Sequence, residues 1–122
     1  MSRFFLIAGA VLGALAVAAG AFGAHALEAR LAPDRLNQWE LAARYQMYHA
    51  LALVAVGLAG ERIGNSVNTA GWFFVVGTVI FCGTVYALAL GSPRWFGAIT
   101  PFGGVSLIIG WIMLAVASYR NA

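Results

Sequence analysis

Side chains able to carry chemistry are concentrated in one short stretch of this 122-residue chain, between Glu40 and His49. Histidine transfers protons and binds metals, tyrosine and glutamate serve as general acids or bases, and arginine binds phosphate groups. The stretch therefore has the residue types for a proton relay, a substrate vestibule or a headgroup-binding site. The candidate residues are His25, which lies upstream, and Glu40, Arg44, Tyr45, Gln46, Tyr48 and His49.

The spacing of these residues predicts one polar face on a helix. Arg44, Tyr45, Tyr48 and His49 recur at intervals of three and four residues. Glu40 precedes Arg44 by four residues, which is the favourable order for an ion pair along a helix. We expect this face to point into the protein or into a wet vestibule. A functional site and a structural network that fixes the register of the helices both explain it, and the sequence leaves the two open.

No metal or cofactor site is predicted. His25 and His49 are the only imidazole ligands, and the acidic residues are typical of loops and helix starts. No nucleophile is paired with a base and an orienting carboxylate, and no nucleotide-binding loop is found. Cys82 is the single cysteine and is expected to be a small buried apolar residue. We therefore expect a protein that is not an enzyme and that has no cofactor.

Four long apolar runs must position the polar stretch. Hydrophobic residues make up 62% of the chain and charged residues 9%, whereas soluble domains have about 25% charged residues. The mean hydropathy is +0.86. A run of about 20 apolar residues matches the roughly 30 Å hydrocarbon core of a bilayer. The chain is therefore predicted to be an all-α integral membrane protein with a single domain, 1–122, and helices at approximately 4–24, 34–60, 68–90 and 101–119.

Local signals predict the helix ends and the topology. Pro33 and Asp34 suit the first turn of the second helix, and Trp39 is expected to anchor that helix at the membrane interface. Thr100 and Pro101 are predicted to be the cap and the first residue of the fourth helix. Short connections after the second and third helices predict an up-down-up-down four-helix bundle. Both termini then lie on the same side of the membrane.

The charge pattern limits the partners. All seven basic residues are arginines, and they are spread over the connections, so the net charge of +3 forms no basic stripe. Nucleic-acid binding is therefore not predicted, and the arginines are expected to anchor helix ends at the interface. Arginines are nearly as numerous on one side as on the other, which leaves the orientation open. The first apolar run exceeds the length of a signal-peptide core, so we expect it to be retained.

Small residues recur along the first helix at intervals of three and four. Membrane helices are held together by van der Waals contact across such faces, so the pattern predicts close packing of another helix. Gly9 and Gly13 form a GxxxG pair. The predicted packing residues are Gly9, Gly13, Ala16, Gly20 and Gly23.

Three segments carry a resemblance to a known family. Residues 20–27 read GAFGAHAL, residues 45–52 read YQMYHALA and residues 97–104 read GAITPFGG. In this order they resemble the YgdD-like family, and the match covers essentially the whole chain. The resemblance implies a small four-helix protein of the bacterial inner membrane, with no accepted substrate, cofactor or catalytic residue. The matching segments contain His25, Tyr45, Gln46, Tyr48 and His49, to which the resemblance gives no role.

Three functions are compatible with the sequence. The first is a non-enzymatic accessory or scaffolding subunit, because glycine-rich helix faces favour helix–helix contact. The second is a small oligomeric transporter or proton-linked permeation unit that uses His25, Arg44 and His49. The third is a lipid- or quinone-binding protein. The expected partners are the lipid bilayer and either a homo-oligomer or a larger membrane protein complex.

Overall fold

The computed structural model describes residues 1–121 as four long helices, numbered α1 to α4 in chain order. The helices are α1, Ser2–Leu27; α2, Pro33–Ile63; α3, Asn68–Ala89; and α4, Phe96–Arg120. A 3₁₀ turn, Asn65–Val67, connects α2 to α3. Residues 1–121 contain no strand, so the predicted all-α fold is confirmed.

Consecutive helices are antiparallel neighbours, with extensive packing of α1 on α2, α2 on α3 and α3 on α4. Ser2 lies against Gly60 of α2, and Asn121 Nδ2 donates a hydrogen bond of 3.0 Å to Ser66 Oγ. The two described chain ends therefore lie at the same end of the bundle, which we call the terminal end. The opposite end carries the α1–α2 and α3–α4 connections, and we call it the connection end. This is the up-down-up-down arrangement that the connection lengths predict.

The surface of the bundle is apolar, as expected for a protein in a bilayer. Phe22 is 76% exposed, Phe102 is 72% exposed and Val79 is 64% exposed. The largest fully buried side chains, including Phe5 and Phe74, lie in the half towards the terminal end. Exposed apolar area on this scale is costly in water and costs little in hydrocarbon, so the fold is that of an integral membrane protein.

The second helix does not have the hydropathy of a membrane span, although four spans are expected from the sequence. Three segments within residues 1–121 are long and apolar enough to cross a membrane, namely Ser2–Leu27, Asn65–Ala89 and Phe96–Arg120. The expectation is wrong for α2 because its polar stretch and the charged pair Glu61 and Arg62 lower its hydropathy. Residues on two sides of α2 are buried by α1 and α3, which shields much of this helix from lipid.

The start of α4 also differs from the prediction. The helix begins at Phe96, and Pro101 lies inside it rather than at its first position. The amides of Phe96 and Gly97 donate to the carbonyls of Pro93 and Arg94, so a turn begins the helix before Thr100 is reached. Thr100 is therefore not a cap. Its hydroxyl lies 2.6 Å from the hydroxyl of a threonine on α3, Thr84, and links the two helices.

The small residues of α1 are used for packing inside the chain. A Cβ added at Gly9 would lie 2.7 Å from the Ala50 carbonyl oxygen and 2.8 Å from the Val54 amide nitrogen. A Cβ added at Gly13 would lie 3.8 Å from Ala50 Cβ, which is an ordinary contact. The two helices therefore touch through their main chains at Gly9 only. The other predicted packing residues also lie against α2 or are buried: Ala16, Gly20 and Gly23.

The GxxxG pair should respond unequally to substitution. Gly9→Ala forces α1 and α2 apart and should lower the free energy of unfolding by about 1–3 kcal/mol, the usual cost of overpacking. Gly13→Ala is the matched control and should be neutral or stabilising by up to about 1 kcal/mol, because alanine favours the helix. Both variants can be compared with the wild type by reversible unfolding in mixed micelles. Equal losses for the two variants would contradict the contact at Gly9.

Candidate functional site

The structure does not bring the seven predicted site residues together. His25 lies at the connection end, where its side chain is 89% exposed and Nδ1 is 4.0 Å from Glu28 Oε2. The other six project from α2 in three directions: Glu40 and Arg44 towards a groove shared with α1, Gln46 between α1 and α3, and Tyr45, Tyr48 and His49 towards a groove shared with α3 and α4.

The expectation of one inward polar face is wrong for Arg44. Adjacent residues point about 100° apart around a helix, so Arg44 cannot share the direction of Tyr45. Arg44 is exposed and lines a groove of about 350 Å³ with Glu40. Within residues 1–121 the only ion pair is between His25 and Glu28, so the expected Glu40–Arg44 pair is not formed.

Gln46 joins three helices through its side-chain amide. It is 6% exposed and lies on the side of α2 between α1 and α3. Its Nε2 donates to the Leu12 carbonyl oxygen of α1 at 2.9 Å, and its Oε1 accepts from the Tyr86 hydroxyl of α3 at 2.7 Å. Both ends of the amide are therefore satisfied by protein atoms, and the bonds fix the positions of α1 and α3 relative to α2.

Trp39 continues this network towards the connection end. Its ring packs edge-on to Tyr86, with ring centroids 4.6 Å apart, and its Nε1–H donates to the Ala19 carbonyl oxygen at 2.8 Å. Ala19 lies in a π-helical segment of α1, Ala18–Gly23. A Cβ at Gly23 would lie 2.7 Å from the indole ring, so glycine is required for this approach. The sequence predicts Trp39 as an interface anchor; the structure places it between helices.

His49 has both ring nitrogens engaged. Its Nδ1 lies 2.7 Å from the Tyr45 carbonyl oxygen, and its Nε2 lies 3.1 Å from Trp111 Nε1. An indole nitrogen can only donate, so Nε2 must be the acceptor and Nδ1 must carry the proton. The imidazole is therefore held as the Nδ1–H tautomer and has no free nitrogen for proton transfer or metal binding.

The second groove is an aromatic cavity of about 460 Å³ on one side of His49. Tyr45 stacks on Phe81 with ring centroids 5.0 Å apart, and His49 meets Trp111 edge-on at 5.9 Å. The groove residues occupy the middle of α2, α3 and α4, so the cavity lies about midway between the two ends of the bundle. Its lining residues are Tyr45, Tyr48, His49, Phe81, Gly104, Leu107, Ile108 and Trp111.

The groove opens on the outer surface of the bundle. Tyr48 is 50% exposed, Ile108 is 59% exposed and Trp111 is 45% exposed. Nothing in residues 1–121 gathers three or more metal-binding side chains. A laterally open cavity with aromatic walls and phenolic hydroxyl groups can hold an apolar, planar molecule that enters from the lipid phase.

Sequence reasoning missed several residues of these sites. Tyr86 and Trp111 were not selected, although each is an aromatic residue with a polar tip inside an apolar run, and such tips usually find hydrogen-bond partners when buried. Phe81 and Gly104 carry no chemical signal, because their role in the groove depends only on shape. A search for polar-tipped aromatic residues within the apolar runs would have found the first two.

These features define a helical integral membrane protein with internal polar contacts and a lateral aromatic groove. A family model described as "Protein of unknown function (DUF423)" matches residues 19–104. The chain belongs to this family, whose curated relatives are called UPF0382 membrane proteins. The YgdD-like label remains a prediction, whereas the expected family of small membrane proteins of unknown function agrees with the match.

The relatives align over nearly the whole chain. A UPF0382 membrane protein of Staphylococcus epidermidis is 47% identical over 120 residues, which cover 98% of this chain and 98% of the relative. One from Staphylococcus saprophyticus is 46% identical over 118 residues, 97% of this chain and 98% of the relative. YwdK of Bacillus subtilis is 43% identical over 120 residues, 97% and 98% of the two chains. No solved structure matches.

The Gln46 contacts should contribute measurably to stability. Tyr86→Phe removes one hydrogen bond and leaves Gln46 Oε1 without a donor, and we expect a loss of about 0.6–1.7 kcal/mol, the range for bonds between membrane helices. Tyr119→Phe, at a tyrosine that is 86% exposed, is the matched control and should cause no change. A double-mutant cycle with Gln46→Leu should give coupling of similar size, and additive losses would show that the bond is not formed.

The hydrogen bonds of His49 make a spectroscopic prediction. In ¹⁵N NMR spectra of the protein in nanodiscs, His49 should appear as the neutral Nδ1–H tautomer, because the indole of Trp111 occupies Nε2. Trp111→Phe removes that donor while keeping an aromatic ring, and it should change the chemical shift of the His49 Nε2 resonance. Observation of the Nε2–H tautomer in the wild type would rule out the Trp111 hydrogen bond.

Proposed function

We propose that the protein is a non-enzymatic, multi-pass protein of a bacterial inner membrane that binds a lipid-soluble ring compound of the quinone class in the aromatic groove. The carrying observation is the cavity of about 460 Å³ lined by four α2 and α4 aromatic side chains and by Phe81. This volume is within the usual range of small-molecule sites, roughly 300–1,000 Å³. A quinone is planar, so it can stack on aromatic faces, and it reaches the groove by diffusion within the bilayer.

The chemistry of the walls favours a quinone over a simple acyl chain. Tyr45 and Tyr48 bring hydroxyl groups to a groove that is otherwise apolar. A phenolic hydroxyl can donate a hydrogen bond to a quinone carbonyl, whereas an acyl chain has no acceptor. The stacked pair of Tyr45 and Phe81 also provides a flat wall of the kind that ring compounds recognise.

Binding without catalysis fits the state of the polar residues. Both ring nitrogens of His49 are engaged, so this histidine cannot act as a general base without breaking a protein hydrogen bond. A proton path through His25, Arg44 and His49 is also not supported, because the three residues face different surroundings. The glycine face on α1 that favoured a scaffolding role contacts α2 of the same chain. Association with other membrane proteins stays a prediction from the sequence.

A groove-filling substitution tests the proposal. A Cβ added at Gly104 would lie 3.8 Å from Phe81, so the main chain tolerates a side chain there, and the rest of a leucine would occupy the cavity. Gly104→Leu should reduce binding of a short-chain ubiquinone analogue by about tenfold or more, as measured by equilibrium binding to the protein in nanodiscs after subtraction of lipid partitioning.

Gly83→Leu is the matched control. Gly83 is a helical glycine on α3 whose Cβ position meets no atom within 4 Å, and it does not line the groove. This variant should bind the analogue as the wild type does. The loss of one hydrogen bond in Tyr45→Phe should weaken binding several-fold without changing the shape of the groove. Binding by Gly104→Leu equal to that of the wild type would refute the assignment of the groove.

A further inference from the structure

A polar groove at the connection end brings together two arginines from different parts of the chain. Arg35 belongs to the first turn of α2, and Arg94 belongs to the connection between α3 and α4. The groove has a volume of about 320 Å³ and is separate from the aromatic groove. Its lining residues are Asp34, Arg35, Gln38, Leu88, Ser92 and Arg94.

Gly91 positions the first of these arginines. Its φ is +101°, in the left-handed region that favours glycine, so the chain turns sharply after α3. A Cβ at Gly91 would lie 3.0 Å from Arg35 Nη1. The absence of a side chain therefore lets the guanidinium group lie against the main chain of the α3–α4 connection, beside Ser92 and Arg94.

Donors in this groove outnumber their protein partners. The only ion pair within residues 1–121 is His25–Glu28, so neither Arg35 nor Arg94 is paired with a carboxylate there. The Oγ atom of Ser92 is buried and has no hydrogen-bond partner. The groove thus holds two guanidinium groups and a hydroxyl group that can all donate to a ligand, and it carries more positive charge than the single carboxylate of Asp34 can balance.

The position of the groove identifies the kind of anion. Trp95 follows Arg94 in the chain, is 61% exposed and packs on Phe96 with ring centroids 4.5 Å apart. Leu90, at the end of α3, is 59% exposed. Exposed tryptophan beside arginine is typical of the membrane–water interface, where lipid phosphates lie. Arginine guanidinium groups bind phosphate oxygens in a bidentate fashion.

We propose that this groove binds the phosphodiester of an anionic phospholipid headgroup. Arg35 and Arg94 hold the phosphate oxygens, and Ser92 donates to them after rotation about its single side-chain torsion. Asp34 accepts hydrogen bonds from the hydroxyl groups of a glycerol headgroup. An anionic lipid suits the groove better than a zwitterionic one, because the two arginines leave a net positive charge after Asp34 is counted. This site is independent of the quinone proposal.

Lipid retention in native mass spectrometry tests this site. Protein released from nanodiscs of phosphatidylglycerol and phosphatidylcholine in equal amounts should retain phosphatidylglycerol preferentially. The double variant Arg35→Gln/Arg94→Gln should reduce this preference by about tenfold or more, since each interfacial arginine contributes to the binding of anionic lipid. Arg62→Gln/Arg120→Gln removes the same number of exposed arginines at the terminal end and should leave the preference unchanged.

Further arms separate the alternatives. Arg35→Lys/Arg94→Lys keeps the charge and the fold, and it should retain part of the preference. Inorganic phosphate at millimolar concentration should not displace phosphatidylglycerol, whereas displacement would assign the site to free phosphate and overturn the proposal. Equal retention of the two lipids by the wild type would overturn it, as would unchanged preference in the glutamine double variant or an equal loss in the terminal-end control.

Discussion

Hydrocarbon offers no hydrogen-bond partner to the Gln46 amide, so the packing of three helices has to supply one at each end. Leu12 of α1 accepts from this amide and Tyr86 of α3 donates to it. An unsatisfied amide would cost several kilocalories per mole in such a medium. The relative positions of α1, α2 and α3 are therefore coupled to one side chain, and the close contacts of Trp39 and Gly9 have to fit the same arrangement.

The same constraint explains why α2 differs in composition from the other helices. A helix covered by α1 on one side and α3 on the other can carry polar residues, because protein atoms rather than lipid surround them. The polar residues of α2 are in turn divided by direction. Gln46 and His49 have their bonds completed inside the protein, while Arg44 reaches an open groove. A polar helix at the centre of an apolar bundle thus produces several separate surfaces rather than one cluster.

The two proposed sites use opposite solutions to ligand binding. The aromatic groove lies midway along the helices and is bounded by rings, so it selects molecules by shape and by their solubility in lipid. The groove with Arg35 and Arg94 lies at the connection end and selects by charge. Between them lies the Trp39, Tyr86 and Gln46 network, which is formed within the protein and needs no ligand. Function is accordingly expected where bonds remain available.

The sequence by itself determined the solvent of this protein, the helix count and the antiparallel order, because apolar run length and connection length act locally along the chain. It also identified Gln46 and His49 as residues that need partners. Only the tertiary structure decided that the partners are Leu12, Tyr86 and Trp111, that Arg44 and His49 point apart, and that Pro101 lies within α4. Those features depend on how each helix is rotated against its neighbours, and that rotation is set by contacts between residues far apart in the chain.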